Sequence, residues 1–430
     1  MNKLRTIGST ITATLASERG RFTVLTGARQ VGKSTLVKML FPDIPLLSFD
    51  ALSERDIYNR FTPEDWITRY PSVILDEVQK APAIFDTLKA CYDRNSSLRY
   101  ILLGSSKVLL LKSVRETLAG RVALKKLFPF TIPELIGESL EPHPTFWTNA
   151  LQCKTQSDFS NFSKSISEPL LEISQESSLS HKMWDYYLTW GGMPALLNDT
   201  FSDYDRSMWL KDYHELYLQR DLSDLARLSD LEPFTRLQKI AALRTAQTIQ
   251  FAQIGAAAGV NAQTAKRYLQ YLEISYQIFL LSPWFANTEK RLIKSQKLHF
   301  LDPGIRRGIL KRTGAIDGNE FESAVFSEAY KQAQNSDSPV EFYYLRTTDG
   351  REVDILIEME NGYIAIECKL SDNTNKNDAR HFSGLKEILD KPILLGLVVS
   401  MDKEVKRFQF EDCDCPILSV PAWVLFGNRL

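Results

Sequence analysis

The residues best suited to chemistry in this 430-residue chain lie near its amino end, in the stretch GARQVGKST at 27–35. They fit the pattern G-x-x-x-x-G-K-[ST], in which glycines let backbone N–H groups surround a phosphate. The lysine neutralises phosphate charge and the serine binds Mg²⁺, so the stretch predicts a site for ATP and Mg²⁺. The predicted nucleotide-binding residues are Gly27, Ala28, Arg29, Gln30, Val31, Gly32, Lys33, Ser34 and Thr35, with Lys33 also catalytic and Ser34 also a metal ligand.

Two acids, Asp76 and Glu77, directly follow the apolar run 73–75, which is typical of a buried strand. Because the carboxyl ends of parallel strands meet at one edge of a sheet, we expect both acids beside the phosphate loop. Asp76 is predicted to bind Mg²⁺, and Glu77 to orient and deprotonate the attacking water. The alternative is a strand that ends in a solvated Asp-Glu turn.

Two further residues are predicted to act on the nucleotide. Ser105 follows the predicted strand 100–103 and is expected to touch the γ-phosphate or the attacking water, with a serine-rich turn as the alternative. Arg121 precedes the predicted fifth strand and is expected to reach the nucleotide of a neighbouring subunit, where an arginine stabilises transition-state charge. This role requires a homo-oligomer, and a surface salt bridge is the alternative.

A second group of chemical residues lies in the last quarter of the chain. Asp354 lies in one apolar strand, and Glu367 and Lys369 lie two residues apart in the next, so they share one face of it. An Asn-Gly turn between the strands predicts a hairpin. The carboxylates are then expected to share Mg²⁺ beside a phosphate held by Lys369, with Glu322 completing the metal site from a preceding helix. A hairpin with a charged face is the alternative.

The elements around these residues predict an α/β protein of several domains. Strands alternate with helices in the first third, including one helix expected over 53–70, and a polar stretch predicts a surface insertion. Helix-turn-helix spacing followed by two strands is typical of a winged helix. The predicted divisions are an ATPase core at 1–136, a polar insertion at 137–180, a helical lid at 181–232, a winged helix-turn-helix at 233–304 and a C-terminal domain at 305–430.

Positive charge is concentrated in residues 233–300, where nine Lys and Arg stand against two Glu, although the formal net charge of the chain is −1. Lys266 and Arg267 open the third helix of this segment. The predicted wing contains Lys290, Arg291, Lys294 and Lys297. Such a patch is the electrostatic footprint of DNA binding, so DNA is the expected partner. A winged helix that serves only for packing is the alternative.

Composition bears on membrane association, on the state of the cysteines and on zinc binding. No apolar run reaches the roughly 18 residues that a membrane span needs, so we expect no membrane association and a cytoplasmic location. Five scattered cysteines favour reduced thiols. The pair Cys413-x-Cys415 lacks the second pair of ligands that structural zinc requires, which disfavours zinc there.

Several motifs together resemble the prokaryotic AAA-type ATPase family that opens with G-x-R-Q-V-G-K-[ST]-T. The matching signatures are GARQVGKST, VILDEVQK, LLGSS, LAGRV, LFPFTIPEL, GGMP and YLQRDL. The remainder, with DPGI, GNEFE and ECKL, resembles the domain of unknown function that commonly follows this ATPase and is similar to PD-(D/E)xK nucleases. The resemblance implies a P-loop AAA+ core with a helical lid, a winged helix-turn-helix and a C-terminal restriction-endonuclease-like α/β domain. Many relatives have Thr where this chain has Leu103.

These observations predict an Mg²⁺-dependent ATPase that acts on DNA, with nucleotide state coupled to the winged helix and the nuclease-like domain. The alternative is a nucleotide-gated switch or scaffold whose nuclease-like domain is catalytically inert. A transcription regulator is a weaker third hypothesis, because the helix-turn-helix lies in the middle of the chain.

Overall fold

The structure is a computed structural model that describes most of the chain. It leaves out residues 1, 2, 4, 105–109, 111–113, 115, 138–143, 168–174, 219–230, 288, 290, 292, 293, 348, 349 and 428–430. The predictions for Ser105 and Lys290 therefore lie outside the described residues. Among the described helices, none is both long and apolar enough to span a bilayer.

The first third forms a five-stranded sheet in which all strands run parallel. Its strands are β1 (Phe22–Gly27), β2 (Leu46–Ser48), β3 (Ser72–Asp76), β4 (Arg99–Gly104) and β5 (Val122–Leu127), in the spatial order β2-β3-β4-β1-β5. All six residues of β1 are buried, as expected for a strand covered by helices on both faces. The predicted parallel α/β core is confirmed, and β1 and β3 end at the same edge of the sheet.

Five helices accompany this sheet. They are α1 (Ile7–Ala16), α2 (Lys33–Leu40), α3 (Leu52–Tyr58), α4 (Pro63–Arg69) and α5 (Ile84–Arg94). The expectation of one helix over 53–70 is wrong, because α3 ends at Tyr58 and α4 begins at Pro63, with Thr62 as its N-cap. The Thr62 side chain accepts a hydrogen bond from the Asp65 backbone N–H, and the Asp65 side chain accepts one from the Thr62 backbone N–H, while Pro63 occupies the first turn. These residues form a capping box, which starts a helix and does not continue one.

The segment predicted as a polar surface insertion contributes to the interior. Among the described residues, the α-helices that next follow β5 in the chain are α6 (Ile132–Ile136), α7 (Phe146–Ala150), α8 (Gln156–Ser167), α9 (Gln175–Trp190) and α10 (Asp203–Asp212). Trp147 is fully buried, and its indole N–H donates a hydrogen bond of 2.9 Å to the Ala329 carbonyl. Phe159 is also fully buried. The prediction was based on the many polar residues of this segment, but its few aromatic residues determine where it packs.

A mixed sheet of nine strands occupies the rest of the molecule, in the order β13-β14-β12-β11-β10-β9-β7-β8-β6. Strands β6, β7 and β8 come from residues 232–300, a segment that we call the helical module. The module contains α11 (Glu232–Leu243), β6 (Gln247–Thr248), α12 (Phe251–Ala258), α13 (Ala262–Ile274), β7 (Ile278–Pro283) and β8 (Lys297–Phe300). Strand β8 pairs antiparallel with both β6 and β7, and β7 pairs parallel with β9. The sheet therefore runs across the division predicted at 304/305.

The C-terminal region adds α14 (Pro303–Leu310), α15 (Gly318–Asn335), β9 (Glu341–Arg346), β10 (Glu352–Glu358), β11 (Tyr363–Cys368), β12 (Ile393–Ser400), β13 (Lys406–Phe410), β14 (Cys413–Pro421) and α16 (Ala422–Gly427). Helix α15 is buried along nearly its whole length. Its Glu328 Oε1 accepts a hydrogen bond of 2.7 Å from the Ile132 backbone N–H. One apolar core extends from Ile7 to Phe426, so the two ends of the chain share an interior.

Candidate nucleotide site and carboxylate cluster

The predicted phosphate loop connects β1 to α2 at the carboxyl edge of the parallel sheet. Two of its glycines are required by geometry. Gly32 has φ +93°, a left-handed conformation that residues with a side chain rarely adopt. A Cβ at Gly27 would lie 2.2 Å from the Leu127 carbonyl oxygen on β5, so only glycine lets the loop pass this strand. The local sequence therefore fixes the path of the loop around a space in front of α2.

Lys33 begins α2 and turns its side chain back over the loop. Its Nζ donates hydrogen bonds of 3.0 Å to the Gly27 carbonyl and 2.8 Å to the Ala28 carbonyl. The residue is only 7% exposed. A buried ammonium beside a helix N-terminus, which itself attracts anions, is suited to binding phosphate. Phosphate oxygens accept hydrogen bonds more strongly than the neutral loop carbonyls do.

The structure brings Ser34 and Asp76 into direct contact, although they lie 42 residues apart. Ser34 Oγ donates a hydrogen bond of 2.7 Å to Asp76 Oδ2. Burial raises the pKa of Asp76, while the Ser34 hydrogen bond and the charge of Lys33 act in the opposite direction. A hydroxyl and a carboxylate side by side are oxygen ligands of the kind that Mg²⁺ prefers. The residues present therefore fit the predicted magnesium ion.

Glu77 follows Asp76 with φ 54°, an uncommon conformation that aims it away from the strand direction. Gln79 Nε2 donates a hydrogen bond of 2.5 Å to Glu77 Oε2. Sequence reasoning missed Gln79, although it lies in the same VILDEVQK motif two residues after the acid. The carboxylate is held at the sheet edge that carries the loop, where a water-activating group is expected.

A cavity of about 560 Å³ opens beside the loop. Its lining includes Val31 and Thr35 from the loop and α2, Arg5 from the amino-terminal segment and Pro194 from the GGMP motif. The Arg5 guanidinium donates a hydrogen bond of 2.9 Å to the Val31 carbonyl and forms an ion pair of 3.3 Å with Glu134. The volume lies in the range of small-molecule sites. No local pattern marks Arg5, because its partners are distant in sequence.

Two tyrosines from later segments contact the loop strand. The Tyr213 hydroxyl donates a hydrogen bond of 3.1 Å to the Arg29 carbonyl, and the Tyr276 hydroxyl lies 2.5 Å from Thr26 Oγ1. Tyr276 belongs to the helical module, between α13 and β7. The helical module therefore contacts the end of β1, directly before the loop.

Arg121 lies at the edge of the sheet opposite the phosphate loop of its own chain. Val122 pairs with Phe22 at the start of β1, whereas the loop follows the other end of that strand. The Arg121 guanidinium forms hydrogen bonds of 2.8 and 3.1 Å with Asp93. This contact is the surface salt bridge that was the alternative. Its role towards a neighbouring subunit stays a prediction.

In the C-terminal region, Asp354 and Glu367 lie on neighbouring antiparallel strands, one position beyond the pair Ile355–Ile366. Glu367 is 2% exposed, and its two oxygens lie 3.0 Å from Lys369 Nζ and 3.3 Å from His381 Nδ1. Burial raises the pKa of Glu367, and the nearby Asp354 raises it further. The hydrogen bond to Glu367 raises the pKa of His381. Sequence reasoning missed His381, which follows β11 on a separate turn.

Lys297 was expected on an exposed basic wing, and this is wrong. Its Nζ lies 2.9 Å from Glu322 Oε1 and 3.0 Å from Glu352 Oε1. It also lies 3.6 Å from Asp354 Oδ1. Burial raises the pKa of Glu322 to about 8, with Asp354 adding to this and Lys297 opposing it. We call Lys297, Glu322, Glu352 and Asp354 the carboxylate cluster.

Other charges of the predicted DNA surface also have internal partners. Arg291 is buried and forms an ion pair of 2.9 Å with Glu358. Lys266, Arg267 and Lys294 are exposed. Fewer basic side chains of the helical module are therefore available to contact DNA than the count of basic residues suggests.

The predicted metal ligands Glu322, Asp354 and Glu367 do not form a ready metal site. Within the described residues, no group of three or more His, Cys, Asp and Glu side chains is arranged to hold a metal ion. In the carboxylate cluster Lys297 lies next to the carboxylate oxygens, and outside it Lys369 lies next to those of Glu367. Cys413 and Cys415 lie with their sulfur atoms 3.1 Å apart, and the hydrogen bond from Cys415 lowers the pKa of Cys413.

Three family models match successive parts of the chain. Residues 19–136 match the AAA domain, residues 181–315 match a domain of unknown function (DUF8612) and residues 317–422 match a second domain of unknown function (DUF4143). The amino-terminal region therefore has an AAA-like P-loop ATPase fold. The resemblance to this ATPase and its following domain is supported, while the nuclease-likeness of the last domain stays a prediction.

Two relatives are uncharacterized proteins of Mycobacterium bovis and Mycobacterium tuberculosis. Each is 26% identical over 359 residues, which cover 82% of this chain and 71% of the relative. Among solved structures, the Walker-type ATPase PABY2304 of Pyrococcus abyssi aligns with a TM-score of 0.46 and 13% identity over 72% of this chain and 96% of its own. The ORC2 protein of Aeropyrum pernix aligns with a TM-score of 0.24 and 12% identity over 78% and 96%. These TM-scores are too low to support a functional comparison.

Proposed function

We propose that the protein binds ATP with Mg²⁺ at the loop 27–34 and hydrolyses it. The observation that carries this proposal is the 2.7 Å hydrogen bond between Ser34 and Asp76, because it joins two Mg²⁺-ligand types from separate motifs. The match of residues 19–136 to the AAA domain supports the same function.

In this proposal each side chain has a different role in binding or hydrolysing the nucleotide. Lys33 leaves the loop carbonyls to neutralise the β- and γ-phosphates, while the start of α2 binds phosphate oxygens. Ser34 and Asp76 hold Mg²⁺, which supplies further charge neutralisation. Glu77 orients the attacking water and accepts its proton, and Gln79 fixes the Glu77 carboxylate. The nucleoside enters the cavity of about 560 Å³ beside the loop.

The test is phosphate release from ATP, with and without Mg²⁺, for the wild type, Lys33→Ala and Lys38→Ala. Lys38 is exposed on the same helix, so its variant controls for the loss of a lysine from α2. We expect Mg²⁺-dependent hydrolysis that falls by on the order of 10²-fold in Lys33→Ala and stays unchanged in Lys38→Ala. Equal rates for Lys33→Ala and the wild type would contradict the proposal.

We further propose that hydrolysis is coupled to DNA through the helical module, in the arrangement of a winged helix. Three helices and a strand pairing in the order β6-β8-β7 support this, as do exposed Lys266 and Arg267 at the start of α13. The measurement compares the ATPase rate and DNA binding with duplex, single-stranded and branched DNA at rising salt. For a double Lys266→Ala, Arg267→Ala variant we expect weaker binding and a salt slope reduced by about 1 to 2.

The second candidate is a nucleotide-gated switch or scaffold whose C-terminal domain cuts nothing. It is favoured by the lysine side chains at the carboxylates of that domain, which occupy the positions that metal would need. A metal-dependent cleavage assay on a panel of DNA forms, with and without ATP, separates the candidates. Cleavage that Asp354→Ala abolishes supports a nuclease, whereas unchanged DNA binding without any cleavage supports the scaffold.

A further inference from the structure

The carboxylate cluster encloses a lysine that the ATPase proposal does not use. Lys297 is 2% exposed, and its ammonium lies within 3.0 Å of both Glu322 and Glu352. Asp354 Oδ1 lies farther from the ammonium, at 3.6 Å. The centre of the Tyr344 ring lies 5.4 Å from Nζ. Three carboxylates and an aromatic ring therefore lie close to this one ammonium group.

The distances in the cluster suit an ammonium ion. Hydrogen bonds from nitrogen to oxygen are about 2.7–3.2 Å long, whereas Mg²⁺ binds oxygen at about 2.0–2.1 Å and Ca²⁺ at about 2.3–2.6 Å. A divalent ion in the same place would also meet the lysine charge at close range, where repulsion is strong. Such an ion can enter only after the lysine has left.

The cation and the anions come from different parts of the fold. Lys297 lies on β8 of the helical module, while Glu322 lies on α15 and Asp354 lies on β10. Asp354 is held in place from its other oxygen, which accepts a hydrogen bond of 2.9 Å from the Cys368 backbone N–H. Asp354 is thus positioned by the C-terminal region itself, whereas Lys297 is supplied from outside that region.

We propose that Lys297 is the built-in cation of this cluster: its ammonium occupies the place of a divalent metal, and the cluster binds such a metal only when the lysine is absent. This goes beyond ATP hydrolysis and does not depend on it. Lys297→Met keeps nearly the same length and apolar stem but removes the ammonium that all three carboxylates contact, so the variant gains a divalent-cation site.

The test is Mn²⁺ binding to the full-length protein without nucleotide, counted by electron paramagnetic resonance. Mn²⁺ is a suitable probe, because carboxylate sites accept Mg²⁺, Ca²⁺ and Mn²⁺ alike. We expect Lys297→Met to bind about one more Mn²⁺ per chain than the wild type. Lys297→Arg keeps the positive charge and is expected to gain none. The double variant Lys297→Met, Asp354→Asn is expected to lose the gain.

Two results would overturn the proposal. One is a folded Lys297→Met protein with the same Mn²⁺ count as the wild type. The other is a wild-type count that falls in Asp354→Asn alone, because the metal would then bind with the lysine present. If Lys297→Met does not fold, labelling of wild-type Lys297 by an amine reagent decides. We expect no labelling with or without Mn²⁺, and Mn²⁺-induced labelling would contradict the proposal.

Discussion

The nucleotide site and the carboxylate cluster each contain a lysine near carboxylates, but the two lysines are held in different ways. The Lys33 ammonium rests on the neutral carbonyls of Gly27 and Ala28, while Asp76 is engaged by Ser34. The Lys297 ammonium instead contacts three carboxylates directly. Neutral carbonyls release a lysine to an incoming phosphate easily, whereas a buried ion pair resists separation. The arrangement around Lys33 therefore suits ligand binding, whereas the arrangement around Lys297 suits a permanent structural contact.

The largest effect expected from this comparison is on stability. Lys297→Met should lower the free energy of unfolding by about 3–5 kcal/mol, because buried carboxylates lose their counter-charge. Lys33→Met should change it by about 1 kcal/mol, since the two hydrogen bonds that it removes are to the neutral carbonyls of Gly27 and Ala28. Urea unfolding of both variants beside the wild type measures this. Equal stabilities for the two variants would remove the distinction between the sites.

The next effect is on activity. Asp76→Asn should lower ATP hydrolysis by on the order of 10²-fold, because the amide replaces a charged ligand of Mg²⁺. Asp354→Asn is the matched substitution in the other site and should leave the hydrolysis rate unchanged. Steady-state phosphate release tests both variants. A comparable loss in Asp354→Asn would mean that the two sites are coupled during turnover.

A smaller effect is expected within the C-terminal region. Lys369 contacts Glu367 at 3.0 Å but is one third exposed, and His381 contacts the other Glu367 oxygen. Lys369→Met should therefore lower the free energy of unfolding by only about 1 kcal/mol or less. Urea unfolding beside Lys297→Met shows the difference. If Lys369→Met proved the more damaging, Lys297 could not be the main counter-charge of this region.

The smallest effect is expected at Arg121. Its ion pair with Asp93 is at the surface, so Arg121→Ala should leave the urea-unfolding midpoint close to that of the wild type. Hydrolysis should stay within about twofold of the wild type, since the residue lies at the far edge of the sheet. Asp93→Asn is the control, with the same small change expected. A loss of hydrolysis in Arg121→Ala alone would restore the role in a neighbouring subunit.

Local motifs were sufficient for the phosphate loop. The conformations of Gly27 and Gly32, the start of α2 and the acid at the end of β3 depend on residues close in sequence or on the simple rule that parallel strands share an edge. The capping box at Thr62 was also readable from T-P-E-D but was overlooked in favour of a longer helix.

Long-range partners were not predictable in the same way. A count of basic residues cannot show that Lys297 faces Glu352, which lies 55 residues later, or that Arg291 faces Glu358. Likewise the pairing of β7 with β9 joins segments some 60 residues apart and carries no local signal. The carboxylates of the C-terminal region and the neighbouring Lys369 were predicted, but Lys297 and His381 belong to elements that only the fold brings near.

Helix α15 affects the order in which the molecule can be completed during translation. Trp147 donates to its Ala329 carbonyl, and the Ile132 backbone N–H donates to its Glu328 side chain. These groups in the first half of the chain cannot form those two hydrogen bonds until α15 has been synthesised. A chain that ends before α15 is therefore expected to leave apolar surface exposed and to be prone to aggregation.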